Sequence, residues 1–190
     1  PEIHLSDSIN ETHFILMDYI ESKRPSKSDY QKLALHLASL HNHSSKVSGM
    51  VNDNYIGTLY QSNKAHNNWI DFYLHERLKK QMELAVANNY YKEDEIPESQ
   101  LMRSRLSEFL QDIQQSMLHG DLWGGNFLIS TDGTPYLIDP SPYYGHHEID
   151  IAMSKLFGGF TEAFYLAYHD IRPFDEQTND RIKIYQLYYL

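Results

Sequence analysis

The stretch LHGDLWGGN at residues 118–126 predicts a loop dense in polar side chains, and it is followed by two short apolar runs. The runs occupy residues 127–129 and 136–138, and Asp132-Gly133 lies between them. An Asp-Gly pair between apolar runs is a strong signal for a β-hairpin. Asp139-Pro140 ends the second run, so the sequence predicts a functional loop leading directly into a hairpin.

Three side chains of this region are expected to share one space. Asn126 enters the first predicted strand and Asp139 leaves the second, so the hairpin brings them together, and Asp121 can reach them from the loop. Oxygen ligands of this kind suit Mg²⁺, which fills the rest of its sphere with waters and phosphates. The spacing therefore predicts Asn126 and Asp139 as metal ligands and Asp121 as a base, in the order that kinase-type phosphoryl transfer uses.

Simpler interpretations apply to single residues of the region. One Asp alone is usually a turn former or a helix cap. We interpret His119 as a structural histidine rather than a general base. Asp150 either starts a helix or ties the loop down by accepting backbone N–H groups. His146 and His147 lack partners at zinc-site spacing, so no zinc site is predicted.

The remainder of the chain predicts a mostly helical protein with a lone buried strand near its start. The strand covers residues 13–17, and residues 42–64 are predicted as a long loop. Helical spacing of apolar residues, with Ser28 as the N-cap of the first helix, predicts helices at 28–41, 69–88, 98–115, 148–157, 161–168 and 181–190.

Composition narrows the possible functions. The 190 residues carry 16 Lys and Arg against 26 Asp and Glu, a net charge of −10, which argues against a nucleic-acid binder. A nucleotide held through Mg²⁺ remains possible. The 41% of hydrophobic residues suffices for a core, and without cysteine there is neither a disulfide nor a thiol nucleophile. No apolar run is long enough to span a membrane, so we predict a soluble cytoplasmic protein.

Several blocks of the sequence resemble the fructosamine kinase (ketosamine-3-kinase) family. The family belongs to a wider group with aminoglycoside phosphotransferases and choline kinases, which share the His-Gly-Asp…Asn…Asp pattern. The blocks are 118–126, Leu137-Ile138-Asp139-Pro140, Tyr143-Tyr144-Gly145-His146, Glu148, Asp150-Ile151-Ala152-Met153, Tyr55-Ile56-Gly57, Gln61, Asn63, Trp69, Phe72 and Arg77.

The resemblance implies an α+β, protein-kinase-like fold. Residues 1–20 would be the last strand of the N-terminal lobe and the hinge. Residues 21–190 would be a mostly helical C-terminal lobe with a short β-hairpin at the catalytic site. ATP would bind the hinge through backbone groups at Met17, Asp18, Tyr19 and Ile20.

Site roles follow from the same resemblance, residue by residue. Asp121 would be the catalytic base, and Asn126 and Asp139 the Mg²⁺ ligands. Trp123 would line the sugar side of the pocket, and Asp150 would support the catalytic loop from below.

Two features depart from the family pattern. No phosphate-covering glycine loop or strand lysine precedes Phe14, and the last helix stops where the family continues. We therefore expect the chain to be part of a kinase and, alone, weak or inactive, because the phosphates lose a cationic partner.

Three hypotheses result. The first is an ATP-dependent kinase that phosphorylates the sugar hydroxyl of fructosamines and other ketosamines, including glycated lysine. The second keeps the chemistry but takes an aminoglycoside, choline or another amino-alcohol as acceptor. The third is a kinase-like fragment without turnover.

Overall fold

The computed structural model describes all residues, 1–190, as seven α-helices and nine short strands. The helices are α1 (Lys27–His41), α2 (Trp69–Phe72), α3 (Lys79–Ala87), α4 (Ser99–Ser107), α5 (Glu148–Phe157), α6 (Glu162–His169) and α7 (Thr178–Gln186). The strands are β1 (Ile3–Ile9), β2 (Thr12–Met17), β3 (Ser44–Ser45), β4 (Asn54–Ile56), β5 (Leu59–Gln61), β6 (Gln115–Met117), β7 (Phe127–Ile129), β8 (Pro135–Leu137) and β9 (Tyr144–His146).

The predicted first strand exists, but it is neither alone nor buried. It forms β2, which pairs in antiparallel fashion with β1 around a two-residue turn at Asn10 and Glu11, both with positive φ. Both strands of this hairpin are exposed almost throughout. Apolar side chains recur at Ile3, Leu5 and Ile9, all on one face of a strand with a period of two, and the prediction missed this signal. The division of the chain at residue 20 stays a prediction.

Helix α1 begins one residue earlier than predicted. Ser26, rather than Ser28, is its N-cap: the Ser26 hydroxyl accepts from the backbone N–H of Asp29, and the Asp29 carboxylate accepts from the Ser26 N–H at 2.9 Å. This reciprocal pair is a capping box, and it needs an acidic or amide residue three positions after the cap. Hydrogen bonds from the hydroxyl and backbone of Ser26 lower the pKa of Asp29 to about 2.

The predicted helix at 69–88 forms one continuous helical stretch in three parts. Asn68 caps α2, a π-helical turn occupies Tyr73–Leu78, and α3 follows. The π turn buries the Arg77 guanidinium 4.7 Å from the ring centre of Phe72 and 4.1 Å from that of Tyr143. A π-helical turn of this kind is often found at functional sites.

Two predicted helices have different ends in the structure. The prediction of a helix to residue 115 is wrong, because α4 ends at Ser107 and residues 115–117 form β6 between β3 and β9. Pairing with strands far away in sequence overrides the local helical pattern. The last helix begins at Thr178, earlier than predicted, and a 3₁₀ turn at Leu187–Tyr189 follows α7.

Strands flank the loop at residues 118–126, and a hydrophobic core made mostly by helices supports the elements around it. Strand β6 leads into residues 118–126, and β7 and β8 form the predicted hairpin directly after them. The Ile129 carbonyl accepts from the Lys23 N–H at 2.9 Å, which joins the segment after β2 to this hairpin. Below them one hydrophobic core unites side chains of α1, α2, α5, α6 and α7. None of the helices combines the length and apolar character needed to traverse a bilayer.

Candidate active site

The backbone of the 118–126 loop is fastened to a buried carboxylate. Asp150, in the first turn of α5, is fully buried and accepts the N–H of His119 at 2.8 Å and that of Gly120 at 2.9 Å. Burial alone would raise its pKa, but the hydrogen bonds that it accepts, led by the one from His41 and including the one from the Gly120 N–H, lower the pKa below its usual value. Asp150 therefore remains ionised and holds two successive peptide groups of the loop.

His119 joins the loop to the end of the hairpin. Its Nε2 lies 3.0 Å from the Ile138 carbonyl, and its Nδ1 accepts from the Asp121 N–H at 3.3 Å. Since a carbonyl only accepts, Nε2 carries the ring proton and Nδ1 does not. Both ring nitrogens are thus engaged with backbone, which is the arrangement of a structural histidine.

Gly120 permits a tight crossing of two chain segments. Its φ is +81°, and a Cβ at this position would overlap the carbonyl of Ser141. The neighbouring Ser141 N–H donates to the His119 carbonyl at 2.8 Å. The loop therefore approaches the segment after Asp139 more closely than any other residue type would allow.

Asp121 and Asn126 meet in the space that the sequence predicted. The Asn126 amide nitrogen donates to Asp121 Oδ2 at 2.8 Å and to the Asp121 carbonyl at 2.9 Å. Desolvation by partial burial is the main cause that raises the pKa of Asp121; the Asn126 hydrogen bond opposes it, and the negative charges of Asp139 and Asp150 add to it.

Asp139 lies at the end of the hairpin beside this pair. Its backbone has φ +51°, a conformation that Asp tolerates better than most residues, and its carbonyl lies 3.4 Å from the Asn126 amide nitrogen. The Asp139 carboxylate is exposed and has no hydrogen-bond partner in the protein. With the Asn126 amide protons turned to Asp121, the Asn126 Oδ1 likewise receives no protein donor. A carboxylate and an amide oxygen left free in this way fit a hard cation such as Mg²⁺.

Trp123 lies on the exposed side of the loop. Its side chain is 43% exposed, and its ring covers Gly125 so closely that a Cβ there would overlap it. Gly124 in turn contacts Gly159, and its N–H donates to the Gly158 carbonyl at 3.1 Å. The glycines thus let the loop pack against the turn after α5 while the indole ring faces outward.

Of the residues predicted to bind adenine, Met17 is the last residue of β2, whereas Asp18, Tyr19 and Ile20 lie between the exposed hairpin and α1. The Asp18 N–H donates to the Glu2 carbonyl at 3.0 Å, and the Asp18 carboxylate accepts from the Glu2 N–H and contacts His4. The backbone N–H groups of Tyr19 and Ile20 have no backbone partner, and the Tyr19 side chain is 90% exposed.

His146 and His147 lie away from these residues. They line a polar cavity of about 510 Å³ together with Arg172 and Arg181, and no residue of the 118–126 loop lines it. No group of three or more His, Cys, Asp and Glu side chains has the geometry of a metal site.

The sequence interpretation missed three contributors to the site. Ser141 packs against Gly120, and Gly158-Gly159 pack against Gly124. The third contributor is His41, whose Nε2 lies 3.0 Å from Asp150 Oδ2. In sequence, the Gly158-Gly159 pair indicates only a break between the helices predicted at 148–157 and 161–168, and nothing local singles out His41 from other helix-terminal histidines.

Comparison with known proteins identifies the family. The fructosamine kinase family model matches residues 1–190. This chain belongs to the fructosamine kinase family.

Individual relatives agree with this membership. A "Probable ketoamine kinase" of Enterococcus faecium is 38% identical over 192 residues, which cover 100% of this chain and 68% of that protein. The ketosamine-3-kinase of Mus musculus is 33% identical over 135 residues, covering 70% of this chain and 43% of that protein.

A crystal structure of a "Putative fructosamine-3-kinase" from Haemophilus somnus superimposes with a TM-score of 0.86 at 27% identity. The match covers 98% of this chain and 63% of that one. The chain thus spans about two thirds of the length of the Enterococcus faecium and Haemophilus somnus proteins. These findings confirm the resemblance, the kinase-like α+β fold and the enzyme class, a phosphotransferase, that the sequence predicted.

Proposed function

We propose that the protein is an ATP-dependent kinase that phosphorylates a sugar hydroxyl of fructosamines and other ketosamines, including glycated lysine. The observation that carries the proposal is the Asn126–Asp121 hydrogen bond within a loop that Asp150 fastens in place. This bond holds the Asp121 carboxylate beside Asn126, and it leaves the Asn126 amide oxygen free of protein donors. The chain that carries this pair belongs to a family of kinases.

Asp121 acts as the base in this proposal. Its Oδ2 is engaged by Asn126, whereas Oδ1 accepts no hydrogen bond from the protein and can receive the hydroxyl of the acceptor. As the hydroxyl oxygen forms its bond to the γ-phosphorus, its proton passes to Asp121 and the bond from that phosphorus to the β–γ bridging oxygen breaks, which releases ADP. The raised pKa of Asp121 favours proton acceptance, and a base of this kind contributes about 10²–10⁴-fold.

Asn126 and Asp139 are the residues that would hold Mg²⁺, through Oδ1 and the free carboxylate. When bound, the cation neutralises charge on the phosphates. The protein supplies the fixed orientation: Asn126 cannot rotate without giving up its two contacts to Asp121.

The nucleotide base would bind the segment Met17, Asp18, Tyr19 and Ile20. The free backbone N–H groups of Tyr19 and Ile20 support this assignment, because an adenine ring offers acceptors and donors along one edge. The Tyr19 side chain is 90% exposed, so this segment lies at the surface, where a ligand can reach it.

Trp123 would contact the sugar of the acceptor. The indole ring packs over Gly125 and is 43% exposed, and Trp123 lies two residues from Asp121 and three from Asn126 in sequence. An aromatic face of this kind suits the apolar side of a sugar ring.

A panel of acceptors tests the proposal with the full-length protein and Mg·ATP. We expect ADP formation with fructosyl-lysine or ribulosyl-lysine and at least about tenfold lower kcat/KM with an aminoglycoside or choline, since one missing specific contact is worth about 1–3 kcal/mol. Trp123→Ala should raise the KM for the sugar acceptor and leave the KM for ATP unchanged, with Trp123→Phe as the matched control. Preference for choline or an aminoglycoside would contradict the proposed substrate class.

A further inference from the structure

The buried carboxylate of Asp150 has a third hydrogen-bond donor besides the two loop amides. His41, the last residue of α1, lies with its Nε2 3.0 Å from Asp150 Oδ2. Both side chains are fully buried. A buried carboxylate is stable only when its oxygens are satisfied, so this third donor contributes to keeping Asp150 charged.

The proton on His41 has a defined position. Burial lowers the pKa of His41 below its usual value, in spite of the opposing attraction of Asp150, so the ring is neutral near neutral pH. Because a carboxylate only accepts, Nε2 carries the single ring proton and donates to Asp150. The Nδ1 atom then accepts from the Tyr168 hydroxyl at 2.7 Å.

The position of the His41 ring is fixed from its backbone as well. The His41 carbonyl accepts from Arg172 Nη2 at 2.7 Å, and the ring of Tyr168 meets that of His41 edge-on, with 5.7 Å between ring centres. Helix α1, the Tyr168 hydroxyl and the Arg172 guanidinium therefore hold one N–H group against Asp150.

We propose that His41 is a positioning residue for the catalytic loop, acting through Asp150. The inference rests on the proposed function, since it takes Asp121 as the reacting carboxylate. The His41 N–H fixes the rotation of the Asp150 carboxylate, whose two oxygens then meet the N–H groups of His119 and Gly120. Asp121 follows Gly120 directly, so a shift of these peptide groups displaces the base from the acceptor hydroxyl.

Two substitutions separate this role from packing. In His41→Gln, the amide nitrogen reaches about as far as Nε2 and can still donate to Asp150. In His41→Asn, the amide reaches only about as far as Nδ1, so the donor to Asp150 is lost. For the full-length enzyme we expect His41→Asn to lower kcat about 10- to 100-fold with KM values changed less than about threefold, because small misplacements of reacting groups cost this much. His41→Gln should restore kcat to within about threefold of the wild type.

A control on the same helix accounts for lost stability. Leu37 is fully buried in α1, and its apolar side chain cannot donate a hydrogen bond to Asp150, so Leu37→Ala should lower the melting temperature while kcat stays within about twofold of the wild type. Amide hydrogen exchange supplies a readout without turnover: the His119 and Gly120 amides should exchange faster in His41→Asn than in Leu37→Ala.

The outcomes are distinct. Equal impairment of the Gln and Asn variants, or a loss of kcat in Leu37→Ala as large as in His41→Asn, would overturn the inference. Unchanged exchange at His119 and Gly120 in His41→Asn would overturn it as well. If the wild-type protein phosphorylates no acceptor, the proposed function fails, whereas the exchange measurement still decides whether His41 holds the loop.

Discussion

The side-chain amide of Asn126 directs its protons at Asp121, 2.8 Å from Oδ2 and 2.9 Å from the backbone carbonyl. One residue thereby orients the carboxylate, while its own amide oxygen accepts no hydrogen bond from the protein. In the proposed mechanism the base and the cation ligand are consequently aligned by the same two contacts.

Replacement of Asn126 by Asp should disturb both roles. The substitution removes the donor and places a second negative charge against Asp121 Oδ2, so it should raise the already raised pKa of Asp121 further. A base with a higher pKa is protonated at higher pH, and we therefore expect the acidic limb of the kcat–pH profile to shift upward. At neutral pH kcat should fall at least about tenfold and recover partly as pH rises. An unshifted acidic limb would show that this contact does not control Asp121.

Gly120→Ala should be far more damaging than a change at another glycine with positive φ. Gly120 combines φ +81° with overlap of the new Cβ and the Ser141 carbonyl, whereas Gly57 has φ +54° and nothing within 4 Å of a Cβ. We expect Gly57→Ala to cost about 1 kcal/mol of unfolding free energy from backbone strain alone. Gly120→Ala should cost at least about 3 kcal/mol, because strain and overlap add.

Urea denaturation of both variants measures this difference. Equal losses of unfolding free energy in the two variants would contradict the close crossing of the loop and the Ser141 segment.

Buried histidines should make the fold sensitive to acid. Burial and the neighbouring cationic groups lower the pKa of His147 to about 2. A histidine with a lowered pKa in the folded state binds its proton more readily when the chain is unfolded. Protonation therefore favours unfolding, and the unfolding free energy decreases progressively as pH falls from about 6.5 toward 2. The slope from one such group approaches about 1.4 kcal/mol per pH unit.

His147→Asn should reduce that slope. The Asn amide can retain the contact that His147 Nδ1 makes with the Tyr168 hydroxyl at 3.0 Å. Between pH 7 and pH 5 the variant should lose about 2 kcal/mol less unfolding free energy than the wild type. Chemical denaturation at several pH values measures the slope, and identical slopes for both proteins would rule out His147 as a source of acid sensitivity.

Local signals explain why the loop and hairpin were predictable. Asp132-Gly133 specifies the turn, which fixes the register in which Phe127 faces Leu137 and Ile129 faces Pro135. Asn126 directly precedes the first strand and Asp139 closely follows the second, so this register places them side by side at the open end of the hairpin.

Contacts distant in sequence explain what the sequence analysis missed. His41 and Asp150 are 109 positions apart, and Ser116 gains its strand partners from Ser44 and Gly145. The error at the start of α1 has another cause: Ser26 and Ser28 are both good caps, and each has a capping-box residue three positions later, Asp29 and Gln31. The local pattern therefore does not choose between them.

The most direct test of the account is ³¹P NMR of the full-length protein with Mg·ATP and fructosyl-lysine, compared with Asp121→Asn. The account predicts a sugar-phosphate resonance that grows together with ADP in the wild type and is reduced at least about 10²-fold in rate in the variant. A wild type that is folded and binds Mg·ATP but yields no such resonance would contradict it, as would an Asp121→Asn variant that forms the sugar phosphate at the wild-type rate.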